Sequence, residues 1–254
     1  ISQLGVGDDF CLEAFLLEQI KAQPGGDSAA EVLSHELMFY DTQPAKLLGL
    51  KDEFLASARL DNLLSCFLAC EALCDSPVTH TSIVVCNDHE EVGSVSTSGA
   101  QGPLLRSVVD RLLGSVGAEA DGFDRLISQS AMLSIDNAHG IHPNFIDRHD
   151  DKHGPLLNKG PVIKVNANQR YASNSHSVAL FKSLCMKVGV TPQLFAMRAD
   201  MACGSTIGPI TSASLGIETV DVGVPTFGMH SIRELAGSDD APALAKVVAA
   251  FFAR

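Results

Sequence analysis

Two glutamates stand side by side at residues 90 and 91, in "CNDHEEVGSVSTSG" (86–99), directly after the apolar run "TSIVV". Neighbouring side chains on a strand point to opposite faces, and adjacent like charges repel. The pair is therefore either solvated surface charge or two carboxylates with separate tasks. Separate tasks suit hydrolysis at a metal: one carboxylate binds the ion, and the other stays free to take a proton from an activated water. Gly93 supports a bend at this point that lets the two side chains converge.

Other groups with the same chemistry also follow apolar runs. Asp61 follows "ASARL", Asp136 follows "AMLSI", and His230 follows "VDVGVPTFGM". In α/β sheets, ligands bind in the crevice outside the carboxyl ends of strands. Four carboxylates and a histidine gathered there would repel unless cations sat among them. Mixed Asp/Glu/His ligation suits zinc, cobalt or manganese. Each residue also has an ordinary reading alone: Asp61 as a helix cap, Glu90–Glu91 as surface charge, Asp136 as a turn residue, His230 as a cap or core histidine. Their recurrence at one kind of position is what those readings leave unexplained.

The elements that must hold these groups are an alternation of short strands and helices. Helix 61–74 leads to strand 81–86. Helices 103–115 and 121–128 precede strand 131–135. Strand 161–166 is followed by helix 175–188, and strand 194–199 by a short helix near 208–215. Strand 217–222 and helix 239–253 close the chain. This predicts an α/β layered sandwich, with a mixed, largely parallel central sheet flanked by helices. The aperiodic stretch 137–160 carries four histidines, His139, His142, His149 and His153; they read as polar loop residues rather than a third metal site, with His139 nearest the chemistry. "GSTIGP" (204–209) lacks the lysine of a phosphate loop and reads as a tight turn into a helix.

The chain has 254 residues, 46% hydrophobic and 19% charged, with a net charge of −12. Such an acidic chain is a poor partner for nucleic acid or anionic membrane, and no apolar run approaches the roughly 20 residues that span a bilayer. Seven scattered cysteines read as reduced thiols in the cytoplasm. Cys66, Cys70 and Cys74 fall on one helical stripe and read as core packing. Residues 1–50 differ in texture from 51–254. The chain opens on Ile1 in mid-pattern, which reads as part of a longer or processed polypeptide.

Six blocks in order, "ARLDNLLSC", "NDHEEVGS", "SIDNAHGIHPNF", "KGPVIKVNANQRYASN", "CGSTIGPI" and "DVGVPTFGMHSIRE", resemble the aspartyl aminopeptidase family of dinuclear zinc exopeptidases. The likeness runs from about residue 36 to the end. It implies removal of an amino-terminal Asp or Glu from peptides by water held between two Zn²⁺ ions. Asp61 would bridge the ions, with the Asp61–Asn62 bond cis in such sites. Glu90 would be the general base. Glu91 and His230 would hold one ion and Asp136 the other. Lys164 would meet the acidic substrate side chain, with Tyr171 lining the same pocket. Residues 1–50 would be a remnant of the inserted oligomerisation domain, 51–254 an incomplete catalytic domain, and the full-length assembly a dimer-based homododecamer. A related neutral aminopeptidase or deacylase, or an inactive structural fragment, are the alternatives.

One departure limits the expectation. The family's remaining zinc ligand is a histidine in a His-Thr-Asp-Ser type segment upstream, and nothing like it precedes Asp61. The earlier His35 lies in "VLSHELM", which reads as helix. The site is thus expected to be one ligand short at the ion of Asp136, with weak binding of one metal and little activity for this piece alone.

Overall fold

The computed structural model describes residues 10–77, 79–198 and 200–254. The chain divides into two compact units, Ile1–Thr42 and Gln43–Arg254. In the first, helix α1 (Leu12–Lys21) buries none of its residues. Beyond it the backbone is irregular, so the helix expected around His35 does not form. Met38 and Phe39 stand almost fully exposed there. A lone turn of helix with no apolar face to bury does not offset its nucleation cost, which explains the missing helix. Residues 1–9 of the expected first domain lie outside the described residues.

In the second unit the elements run in chain order as follows: β1 (Lys46–Leu48), β2 (Phe54–Ser57), α2 (Leu60–Asp75), α3 (Leu104–Ser115), α4 (Gly122–Ser128), β3 (Ala131–Ile135), β4 (Ala138–His139), β5 (Val162–Val165), α5 (Ser175–Lys187), β6 (Gln193–Ala196), α6 (Ile207–Leu215), β7 (Glu218–Gly223), β8 (Pro225–Phe227), β9 (Glu234–Gly237) and α7 (Asp240–Phe252). The α/β reading holds, and the strands sort into two mixed sheets. One has the order β3-β7-β5-β6, parallel except for the β7–β5 pair. The other, β1-β2-β9-β8-β4, is antiparallel except for β4 beside β8.

Strands β5 and β7 are buried along most of their length, as strands covered on both faces are. Ile163, Val220 and Val222 meet Phe181 and Leu184 of α5, and Leu244, Val247 and Val248 of α7. Helix α5 starts where it does because of a capping box: the Asn174 side chain accepts from the His176 and Ser177 amides, and Ser177 Oγ accepts from the Asn174 amide. Phe181 is 0% exposed at the centre of this core. Phe181→Ala is expected to cost about 3–5 kcal/mol of unfolding free energy, read as a shift in the denaturant midpoint at constant m-value. A change under about 1 kcal/mol would mean the core repacks around the loss.

The run 81–86 is not in a ladder. Its residues form no strand pairing among the described residues. An apolar strand needs a neighbour for its backbone N–H and C=O groups, and alternation alone does not supply one. The strand expected over 194–199 is Gln193–Ala196; residue 199 lies outside the described residues. The 137–160 stretch is ordered rather than featureless: it holds β4 and a 3₁₀ segment, Pro143–Arg148, capped by His142 Nδ1 accepting from the Asn144 amide. Among the described residues, no helix is long and apolar enough to cross a membrane.

Candidate metal centre

Four local devices bring the chemical groups together. The first is the entry to α2. Arg59 adopts a left-handed conformation, Asp61 and Asn62 have non-helical backbone angles, and the Asp61–Asn62 peptide is cis. Asn62 Nδ2 donates to the Ile135 carbonyl at 2.8 Å, which moors this corner to the end of β3. The second is a 3₁₀ turn over Glu90–Val92, between His89 at φ 57° and Gly93 at φ 100°. The positive φ at Gly93 is the bend expected from sequence. The third is the end of β3, where the Asp136 amide continues the ladder by donating to the Val222 carbonyl at 2.9 Å. The Asp136 backbone passes so close to Gly223 that a Cβ there would lie 1.8 Å from the Asp136 carbonyl oxygen. The fourth is the β8–β9 turn, which holds His230 at φ 67°.

These devices place Asp61, Glu91 and His230 in one cluster. His230 Nε2 lies 3.1 Å from Asp61 Oδ2 and 3.0 Å from Glu91 Oε2. One ligand atom from each of the three falls within 4.8 Å of the others. The carboxyls of Asp136 and Glu91 both reach that of Asp61. Burial, then the charge of Asp136 and then that of Glu91, push Asp61 up to about 9. Asp61 is 5% exposed in its side chain, and its Oδ1 is buried with no hydrogen-bond partner among the described residues.

That geometry fits a divalent cation. A buried carboxylate oxygen without a partner is costly, and three carboxyls within reach of each other repel. A cation between Asp61, Glu91 and His230 relieves both. The donor set is oxygen plus imidazole, which zinc accepts. No second group of three ligands that includes Asp136 is found among the described residues.

Glu90 sits beside this cluster without joining it. Burial pushes its carboxyl above the ordinary value, as do the charges of Asp136 and Glu91; Lys164 and His230 act the other way. A glutamate near the cluster, with raised basicity and no ion partner among the described residues, is suited to carry a proton.

Lys164 projects from β5 and is 3% exposed. Its Nζ donates to Asp136 Oδ2 at 3.0 Å and to the Asn137 carbonyl at 2.9 Å. The Tyr171 ring centroid is 5.5 Å from Nζ. So Lys164 and Tyr171 come together beside Asp136. Their expected role toward a substrate side chain belongs to the proposal below. The ammonium has three donors, and two are engaged here.

A cleft of about 1270 Å³ opens beside the cluster. Asp61, Glu90, Glu91 and Asp136 line one part of it, and apolar residues such as Leu63, Val84 and Leu133 line another.

Two of the loop histidines, His142 and His153, behave as structural residues. His142 packs on Phe145 and Phe227, and His153 pairs with Asp150 at 2.6 Å. His139 differs: burial and the nearby Lys164 charge push its imidazole down, which favours its neutral form.

Sequence reasoning missed two buried acids beside the site. Asp221 of β7 is fully buried. It accepts from Ser134 Oγ at 2.6 Å, Ala172 N at 2.6 Å and Thr206 Oγ1 at 2.7 Å. It thereby ties the Tyr171 loop and the start of α6 to the sheet. Glu234 of β9 accepts from the Asp61 amide at 2.8 Å and the His230 amide at 2.9 Å. The signal for Glu234 was a carboxylate four residues after His230 in "HSIRE". The signal for Asp221 was a lone acid inside an apolar strand.

Fold and site together define an α/β protein with a carboxylate–imidazole cluster able to hold a metal ion. The chain belongs to the peptidase M18 family, described as aminopeptidase I zinc metalloprotease, whose family model matches residues 9–252. It is 53% identical over 252 residues to the "Probable M18 family aminopeptidase 2" of Ectopseudomonas mendocina, covering 99% of this chain and 58% of that protein. It is 54% identical over 255 residues to the same-named protein of Pseudomonas aeruginosa strain LESB58, covering 100% of this chain and 58% of the relative. The chain thus spans less than two thirds of the length of the curated relatives it matches. Among solved structures it is similar to a chain in the cryo-EM structure of the Ape4 and Nbr1 complex (TM-score 0.80, 41% identity, 84% of this chain and 42% of that one). It is also similar to the S. cerevisiae mApe1 dodecamer (TM-score 0.73, 31% identity, 84% of this chain and 49% of that one).

Proposed function

We propose that the protein containing this chain is a zinc-dependent aminopeptidase that removes amino-terminal Asp or Glu from peptides. The observation that carries the reading is the Asp61–Glu91–His230 cluster with its partnerless buried Asp61 Oδ1, flanked by Asp136 and Glu90. Asp61, Glu91 and His230 would hold one ion, and Asp61 with Asp136 would offer carboxylates to a second, whose further ligands are not found among the described residues. Cobalt or manganese would also accept these donors. Bound zinc supplies a lowered water pKa and polarisation of the scissile carbonyl. Glu90 takes the proton of the attacking water and returns it to the leaving amine.

Lys164 supports the acidic preference. Its third N–H is the donor left for a substrate carboxylate, and its burial strengthens that contact relative to water. Asp136 already holds the same ammonium, so replacing Lys164 disturbs the site as well as the pocket. The informative readout is therefore a ratio. Lys164→Met is expected to lower kcat/KM for an Asp amide relative to a Leu amide by roughly 10–100-fold, the size of a hydrogen bond to a charged group. An unchanged ratio would point instead to a neutral aminopeptidase or deacylase with the same metal chemistry.

The family resemblance and the dodecameric neighbour support a homo-oligomer built from dimers. In this reading the exposed apolar residues before residue 50 are a remnant of an oligomerisation domain. All seven cysteines are free thiols, consistent with a reducing, cytoplasmic setting.

A further inference from the structure

We infer that Glu234 is the positioning residue of the metal centre, a buried carboxylate that holds two ligands from distant parts of the chain in register. This rests on the reading of Asp61 and His230 as metal ligands. Glu234 is 2% exposed. Its Oε2 accepts from the amide of Asp61 and its Oε1 from the amide of His230, at 2.8 and 2.9 Å. The two residues it joins lie 169 positions apart in sequence.

Each bond does something the local backbone does not. The Asp61 amide lies at the kinked entry to α2, where Asp61 and Asn62 have non-helical backbone angles, so no helix hydrogen bond serves it and it needs another acceptor. Capping alone would need only one carboxylate oxygen. The second oxygen goes to a residue outside any helix, held at φ 67° in the β8–β9 turn. A left-handed non-glycine backbone is unfavourable and persists where the surroundings over-determine it. The Glu234–His230 bond is one such constraint. Glu234 itself is fixed by the β2–β9 ladder, where it lies opposite Ser57. With both amides held on one carboxylate, Asp61 Oδ2 and His230 Nε2 arrive 3.1 Å apart. A buried charge with two charge-assisted bonds to backbone is a stable arrangement; with one bond it is a costly one.

Glutamine tests this because it keeps the shape and breaks the symmetry. Its NH₂ arm would face an N–H, so at most one of the two amides keeps an acceptor. Asp240 provides the control: it is equally buried and accepts from the Asn158 and Gly160 amides at 2.6 and 2.8 Å, at the start of α7. The apparent Zn²⁺ Kd is measured by competition with a chromophoric chelator, and apo stability by thermal unfolding, on a polypeptide of the relatives' full length that contains this chain, for wild type, Glu234→Gln and Asp240→Asn. The expected result is a roughly 10–100-fold weaker Zn²⁺ Kd for Glu234→Gln, the scale of outer-shell partners. Asp240→Asn lowers apo Tm and leaves the Kd at the wild-type value.

Parity of Glu234→Gln with wild type in Kd overturns the inference. So does an equal weakening by Asp240→Asn, which would make the effect one of general stability. Should Glu234→Gln fail to fold, Glu234→Asp keeps the charge and shortens the arm by one CH₂. It is expected to weaken Zn²⁺ binding too, and a wild-type Kd for it overturns the inference equally. A wild-type chain that takes up no Zn²⁺ sinks the metal reading itself, and the inference with it. Normal wild-type uptake with parity in the variants sinks the inference alone.

Discussion

Glu90→Gln is expected to leave zinc binding intact and to lower the rate of peptide hydrolysis by roughly 10²–10⁴-fold, the contribution of a positioned general base. The measurement needs a polypeptide of the relatives' full length that contains this chain, with kcat/KM for an Asp amide read beside a zinc count. The reason lies in the geometry. Glu90 is next to the cluster and feels Asp136, Glu91, Lys164 and His230, yet it is not among the three residues whose ligand atoms converge. Glutamine keeps its size and hydrogen-bonding reach but cannot accept a proton. Glu91→Gln in the same assay removes a ligand, so it loses zinc and rate together. Equal zinc loss in both variants would show that the two glutamates share one task.

Asp61→Asn is the second large effect, and it should have opposite signs in the two states of the protein. With zinc, Asp61 is the carboxylate shared by the cluster, and its replacement is expected to weaken binding by ~100-fold or more, beyond the ~10–100-fold cost of an outer-shell partner. Without zinc, Asp61 is a buried carboxyl crowded by Asp136 and Glu91, with one oxygen unpartnered. Asparagine is neutral in the folded and the unfolded chain alike, so it spares the cost of protonating this buried carboxyl on folding, and the apo variant should melt at or above the wild-type temperature at neutral pH. Zinc at a hundred times Kd stabilises the wild type by about 2.7 kcal/mol, and that gain is expected to vanish in the variant. A variant that melts lower in the apo state yet still gains with zinc would place Asp61 as a structural cap of α2 and not as a ligand.

Much of the fold was legible without coordinates, because the signals are local. The apolar run 131–135 is β3, Ala131–Ile135. The helices expected at 61–74, 103–115 and 175–188 are α2, α3 and α5 to within a residue. Periodicity and turn residues act over a few positions, so they can be read from a few positions. The candidate site residues were nominated by the same local signal, since Asp61, Glu91, Asp136 and His230 each follow an apolar run, and the structure brings Asp61, Glu91 and His230 together. Where a local pattern needed a distant partner, the reading weakened. The 81–86 run alternates like a strand, but no described strand pairs with it. "VLSHELM" has helical spacing but no face to bury it.

What the sequence by itself determined is the kind of most elements and the chemical inventory that follows the apolar runs. Only the tertiary structure decided which of those groups meet. It sorted the strands into two mixed sheets and set the Lys164 ammonium on Asp136 as well as beside Tyr171. It also turned Glu234, an ordinary acid in "HSIRE", into the carboxylate that joins Asp61 to His230. The physical reason is range: hydrophobic period and capping act along the chain, whereas a metal centre is a set of contacts across it, and contacts 169 residues apart leave no mark in any short stretch of sequence.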